Sequence, residues 1–247
     1  MKNIEGRIGI LTAMENEIRA LLSRAEVERT DTIGGVTFYV GKMCGRDVVI
    51  AQAGVGKVLS AAGASTMLNQ YDVKALIFTG VAGGVGDETR VLDMVIATEL
   101  VQYDYGFRKE DGFHWSRPIF TSNPGTGHFI CDTDLAESAW NAAVSVVGRE
   151  HTFRGTIVSG DQFVSSESFV RELQENFGAV ACEMEGAAVA SVCEQYGVPF
   201  VVIRSMSDKA DGKAHETILN MMDLAAEHCC RVLTKMLEDM GKEAGQA

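Results

Sequence analysis

Four acidic residues, Glu17, Glu183, Glu185 and Asp208, stand where short apolar runs give way to turns or helix starts. Carboxylates gathered in one cleft suit glycosyl transfer. One carboxylic acid protonates a leaving group, a second carboxylate activates water, and negative charge steadies an oxocarbenium-like sugar. A carboxylate with two free oxygens also accepts hydrogen bonds from a pair of sugar hydroxyls. A glycine-rich stretch, Gly80–Gly84, follows another apolar run. With no side chain in the way, backbone N–H groups there approach a ligand closely. None of these features alone names a substrate.

Those residues need elements to position them. The run Arg7–Thr12 predicts a buried strand, and residues 14–24, with Ile18, Leu21 and Leu22 on one face, predict a helix. Val36–Val40 and Val48–Gln52 predict a strand pair about a turn at Cys44–Arg46. A helix over 58–70 follows, then a strand over Ala75–Thr79 ending in a glycine-rich turn, Gly80–Gly84. Asp93–Leu100 reads as a strand. The aromatic segment 101–125, with Phe107, Phe113, Trp115 and Phe120, reads as irregular. Helices are expected over 132–147, Glu167–Phe177 and Glu183–Tyr196, and strands over Arg154–Ser159 and Phe200–Arg204. From His215 to about Met240, Ile218, Met221, Met222, Ala225, Cys229, Val232 and Met236 repeat at helical spacing.

This alternation predicts an α/β fold: a single domain over residues 1–247, with a central mixed β-sheet flanked by helices. In such folds ligands gather beyond the carboxyl ends of the strands. Residues 12–17, 80–84, 160–164 and 205–208 are therefore expected around one cleft.

Composition narrows the partners. The chain has 247 residues, with 22 lysines and arginines against 34 acidic residues, a net charge of −12. Nucleic acid and anionic membranes call for a cationic face, so neither is expected as a partner. Met1–Ile18 lacks the apolar core of a secretory signal, and no run reaches the ~18 apolar residues of a membrane span. A cytoplasmic location is expected. The six cysteines form no CxxC pair and no zinc-type cluster, so they are read as reduced core thiols, and neither a metal nor a cofactor is expected. The five histidines are read as surface or helix residues.

Six motifs then appear in order: Met14–Glu17, Ala53–Lys57, Thr79–Gly84, Ser159–Phe163, Cys182–Glu185 and Arg204–Asp208. Together, over nearly the whole chain, they resemble the nucleoside phosphorylase/nucleosidase superfamily, and within it the 5′-methylthioadenosine/S-adenosylhomocysteine nucleosidases. The resemblance implies a nucleoside phosphorylase-like fold. It implies hydrolysis of the N-glycosidic bond of 5′-methylthioadenosine, S-adenosylhomocysteine or 5′-deoxyadenosine to adenine and the corresponding sugar, as in methionine salvage. Glu17 would activate the water and Asp208 would protonate adenine N7. Glu185 would hold the ribose hydroxyls, with the Met184 backbone and Glu183 beside it. Phe163 and Val164 would frame the adenine, Met14 and Val55 the ribose and thio tail, and Val81, Ala82 and Gly83 the cavity wall. Arg204 would orient the water and Ser207 the acid. The resemblance also implies a homodimer in which segment 101–125 reaches the partner's site through Phe107, Phe113 or Trp115.

The sequence departs from that pattern at Val81, where some relatives carry serine, and near Ile218, where relatives often carry phenylalanine. Three alternatives stay open. One is a phosphorylase of the same superfamily, although the first strand lacks an arginine-bearing glycine motif after it. The second is a related nucleosidase acting on aminodeoxyfutalosine or AMP, the latter disfavoured because no basic cluster awaits a 5′-phosphate. The third is a non-catalytic nucleoside sensor. Asp208 needs a proton near neutral pH and Glu17 must be ionised, although ordinary carboxyls titrate near ~4.

Overall fold

Alternating apolar side chains set the two faces of the central sheet. In β1 (Arg7–Thr12), Ile8 and Ile10 face one layer of helices and Leu11 the other. The computed structural model describes residues 6–86, 88–117, 127–212 and 214–244. After β1 come α1 (Glu15–Leu22), β2 (Glu26–Ile33), β3 (Val36–Met43), β4 (Arg46–Gln52), α2 (Lys57–Gln70) and β5 (Val73–Gly84). Then follow β6 (Met94–Gln102), β7 (Gly106–Lys109), β8 (Gly112–Trp115), β9 (His128–Ile130) and α3 (Thr133–Val147). The chain continues through β10 (Thr152–Ser159), α4 (Glu167–Phe177), β11 (Ala179–Glu183), α5 (Gly186–Tyr196), β12 (Phe200–Asp208) and α6 (Ala214–Ala244).

Among the described residues, one mixed sheet runs in the order β11-β10-β6-β12-β5-β1-β4-β3-β2, with β9 on β6. Strands β4, β1, β5 and β12 run parallel to one another, and so do β6, β10 and β11. The two parallel groups meet antiparallel at β12 and β6. Helices α2 and α5 cover one face through Met67, Leu68, Val189 and Cys193; α1, α3 and α6 cover the other through Ile18, Leu21, Ala139, Val232 and Leu233. No helix among the described residues is long and apolar enough to cross a membrane.

The long strand β5 positions the site. Its first half pairs with β1 and β12, and its far end pairs antiparallel with β11, Ala181 opposite Gly84 and Cys182 opposite Gly83. The sheet therefore curls around residues 80–84. The expected glycine-rich turn is replaced by strand: Gly80–Gly84 stays extended because both flanking strands supply ladder partners. At Gly80 a Cβ would lie 2.5 Å from both Arg204 Nη1 and Glu17 Oε1, so the strand there must be glycine.

Three further expectations change. Glu183 ends β11 rather than opening a helix, because residues 179–183 pair with β10 before α5 begins at Gly186. Segment 101–125 is not wholly irregular: β7 and β8 form a hairpin away from the main sheet. Residues 118–125, with Phe120, lie outside the described residues. Strand β2 has no counterpart in the predicted elements. It is a charged edge strand, exposed along most of its length, so it carries no buried alternation.

Candidate active site

At the carboxyl ends of β1, β5, β10 and β12 the chain leaves a cavity. Beneath one end lies Glu17, in the first turn of α1 and only 3% exposed. Its Oε2 accepts the N–H groups of Ala13 at 3.0 Å and Met14 at 2.8 Å, and its Oε1 accepts Val81 N–H at 2.9 Å. Three backbone donors from two elements thus converge on one carboxylate. Burial raises the Glu17 pKa above its ordinary value, against the opposing pull of Arg204 and the three N–H groups.

Arg204, on β12, is fully buried. Its guanidinium pairs with Glu183, lies 3.6 Å from Glu185 Oε2 and stacks 4.2 Å above the Phe78 ring. Burial disfavours the cation, but the fields of Glu183, Glu185 and Glu17 outweigh it and raise its pKa. Glu183 meets Arg204, the Ser159 hydroxyl, Gly186 N–H at 2.7 and 3.0 Å and Glu185 N–H at 3.1 Å. It borders the cavity, yet its oxygens are spent on the start of α5 and on Arg204. Ser159 Oγ accepts Ala187 N–H at 2.8 Å, joining β10 to the same strut.

Glu185 differs in having capacity left. Its Oε1 accepts Gly56 N–H at 2.8 Å, and it faces the cavity. Burial, then the neighbouring Glu183, push its carboxyl up to about 8, against the pull of Arg204 and the Gly56 N–H. Glu17 and Glu185, both raised, share the neighbourhood of one guanidinium.

Asp208 occupies the other end. A register shift between Met206 and Asp208 lets Ser207 and Asp208 both border the cavity. Asp208 Oδ1 accepts Ala210 N–H at 2.7 Å, and the Ser207 hydroxyl donates to Oδ2 at 2.8 Å. Ala210 holds a positive φ of 52°, a conformation that non-glycine residues rarely adopt. Burial raises the Asp208 pKa, while the Ala210 and Ser207 hydrogen bonds oppose it. Glu17 abuts Gly80 and Asp208 abuts Gly83. Three residues of strand, roughly 10 Å, separate those two glycines.

Met14, Val55, Val81, Ala82, Gly83, Phe163, Val164, Met184 and Ser207 join Glu183, Glu185 and Asp208 around the cavity. Glu17 and Arg204 sit behind that wall. Gln162, Cys182 and Ile218 line it as well. Gln162 and Cys182 lie inside two of the sequence motifs, so their position was the available signal; Cys182 reads from sequence only as a core thiol. Among the described residues no group of three His, Cys, Asp or Glu side chains is arranged to hold a metal ion. Two carboxyls in different surroundings, a third with free acceptor capacity and an apolar end at Met14, Val55 and Ile218 suit a glycoside.

The model of the phosphorylase superfamily matches residues 7–238. The 5′-methylthioadenosine/S-adenosylhomocysteine nucleosidase of Shewanella sediminis (strain HAW-EB3) is 35% identical over 235 residues, 95% of this chain and 100% of that one. A crystal structure of the Neisseria meningitidis enzyme of the same name, in complex with methylthio-immucillin-A, superposes with a TM-score of 0.87 at 32% identity. It covers 95% of this chain and 100% of that one. Futalosine hydrolase of Helicobacter pylori strain 26695 superposes with a TM-score of 0.84 at 30% identity, covering 95% and 98%.

Proposed function

Because this chain belongs to the phosphorylase superfamily, we propose that it hydrolyses the N-glycosidic bond of 5′-methylthioadenosine and S-adenosylhomocysteine, releasing adenine and a thioribose. In this reading the substrate lies between Glu17 and Asp208. Ionised Glu17 takes a proton from the water attacking the anomeric carbon. Protonated Asp208 donates to adenine N7, making the base a neutral leaving group. Glu185 accepts hydrogen bonds from the ribose 2′- and 3′-hydroxyls beside the Met184 backbone. Phe163 stacks on adenine and Val164 meets it through the backbone. Met14, Val55 and Ile218 take the thio tail, and Ser207 fixes the acid. Arg204 holds Glu183 and Glu185 and places a positive field beneath Glu17.

The observation that carries hydrolysis over phosphorolysis is the Glu17 carboxylate itself. A phosphate would need a nest of backbone N–H groups and a guanidinium. Here Ala13, Met14 and Val81 give their N–H groups to Glu17, and Arg204 gives its Nη2 to Glu183. The test is adenine release from 5′-methylthioadenosine with and without phosphate. Equal rates and a free 5-methylthioribose product support hydrolysis; a sugar 1-phosphate contradicts it.

A second reading, a nucleosidase for a futalosine-type nucleoside, draws on the likeness to the Helicobacter pylori futalosine hydrolase. Competition of the two nucleosides in one assay separates them. We also propose a homodimer. Phe107 and Phe113 on the hairpin are exposed, whereas Trp115 turns inward, donating to Gln102 O at 2.8 Å and packing on Phe177. Light scattering of the pure protein tests it, and a monomer refutes it.

A further inference from the structure

The walls of the cavity come from segments far apart in sequence. Val55, before α2, lines the side proposed for the ribose, with Gly56 next to it, and residues 162–164, after β10, line the side proposed for the base. Above the last backbone rungs of β6 and β10, where Tyr103 N–H meets Ser159 O at 3.1 Å, the walls need another link.

Three charged side chains supply it. Lys57 Nζ lies 2.5 Å from Asp104 Oδ1, 3.5 Å from Gln102 Oε1 and 3.9 Å from Asp161 Oδ2. Asp161 Oδ1 accepts the backbone N–H of Lys57 at 2.8 Å, and Asp104 Oδ2 accepts the backbone N–H of Asp161 at 2.9 Å. The links form a closed ring among the start of α2, the loop after β6 and the loop after β10. The Lys57 and Asp104 side chains are only 17% and 18% exposed, so solvent screens their pairing less than it would a surface ion pair.

The ring borders both halves of the substrate site. Lys57 follows Gly56, whose N–H is fixed on Glu185. Asp161 precedes Gln162 and Phe163 on the base wall. Gly56 itself lies against the ring: at its φ of 97° a Cβ would be 3.1 Å from Asp161 Oδ1. An exposed ion pair contributes little and constrains little. A half-buried ring that closes through two backbone amides fixes distance and orientation together.

We propose that Lys57, with Asp104 and Asp161, is a positioning residue that sets the spacing between the ribose wall and the base wall. It touches neither water nor base. It holds the Gly56–Glu185 contact and the Phe163–Val164 loop at the separation that brings the base nitrogen to Asp208 while the sugar sits on Glu185. This inference rests on the nucleosidase reading.

A ligand that spans both walls senses the spacing, and a ligand on one wall does not. The test compares wild type with Lys57→Met, using adenine and a methylthioadenosine analogue whose base and sugar are joined by a carbon–carbon bond. Misplacement by about 1 Å costs on the order of 100-fold in rate, so kcat for 5′-methylthioadenosine should fall ~10- to 100-fold. Analogue affinity should fall at least 10-fold, while adenine affinity stays within about two-fold. Analogue affinity equal to wild type, or equal losses for both ligands in a folded variant, overturns the proposal. Should Lys57→Met lower the folded fraction, Asp104→Asn carries the same comparison, because it leaves Lys57 its Gln102 and Asp161 neighbours. A wild type that releases no adenine overturns the functional reading instead, and the two affinities still decide the spacing.

Discussion

The two ends of the cavity use the same functional group in opposite surroundings. Glu17 meets three backbone N–H donors and the field of a buried arginine. Asp208 meets one N–H and one hydroxyl, and the charge nearest to it in effect is another carboxylate, Asp211. Burial raises both pKa values; an arginine field and three N–H groups oppose the rise at Glu17, one N–H and one hydroxyl at Asp208. The difference lies in the number of donors each carboxyl receives and the sign of the neighbouring charge, the two levers by which a base and an acid of the proposed reaction would be set apart.

The largest effect that would break this contrast is removal of the acid. Asp208→Asn keeps shape and most hydrogen bonds but carries no proton for N7; adenine release should fall about 10³-fold, within the range of general acid catalysis, with the circular dichroism spectrum unchanged. Wild-type-like turnover would end the acid assignment. Glu17→Gln comes next. Its amide N–H₂ would face backbone N–H donors, so turnover should fall on the order of 10²-fold or more. A transition-state-like inhibitor should still bind. Loss of the folded state would make Glu17 structural instead.

Ser207→Ala sharpens the contrast without removing either carboxyl. The Ser207 hydroxyl favours ionised Asp208, so its loss should raise the Asp208 pKa further. On the proposed acid role, activity requires Asp208 protonated and is lost as pH rises through that pKa. The alkaline limb of kcat/KM should therefore move up, by up to ~1 pH unit, with the rate near neutrality changed only a few-fold. An alkaline limb that stays put would show that Ser207 does not act on the acid.

The smallest effect concerns stability. Glu185 has a folded-state pKa of about 8, above its ordinary 4.5. Folding therefore favours its protonated form. Its contribution is fully present below pH 4.5 and is lost as pH rises through about 8. Glu185→Gln keeps an acceptor for Gly56 and cannot ionise. Its melting temperature should exceed that of wild type at pH 8.5 by a few degrees, roughly the effect of 1 kcal/mol, and match it near pH 4.5. Equal melting curves at both pH values would show that Glu185 is not held protonated by the fold. The same variant should raise KM, since an amide nitrogen in place of one carboxyl oxygen cannot accept a ribose hydroxyl.

Much of this arrangement was legible in the chain. β1, β6, β10 and the helices around them carry plain apolar periodicity, and Glu17, Glu185 and Asp208 sit in motifs whose order matched a known superfamily. Other parts were hidden for physical reasons. β2 and the β7–β8 hairpin are exposed, so neither shows the alternation that burial imposes. β11 merges in sequence with the apolar pattern of α5, and only pairing with β10 and β5 separates them. The strand character of Gly80–Gly84 depends on partners that approach from 120 residues away in β12 and 100 away in β11. Arg204 could be read as a site residue, but its place among three carboxylates follows from register. The Lys57, Asp104 and Asp161 ring joins three loops that share no local pattern.

One measurement tests the opposed carboxyls most directly: the pH dependence of kcat/KM for adenine release by wild type and by Asp208→Asn, in the same buffers. The account predicts a bell for wild type, its acid limb set by ionisation of Glu17 and its alkaline limb by deprotonation of Asp208. In the variant, the residual activity should keep the acid limb and lose the alkaline one. An alkaline limb that persists unchanged when residue 208 can no longer titrate would contradict the account.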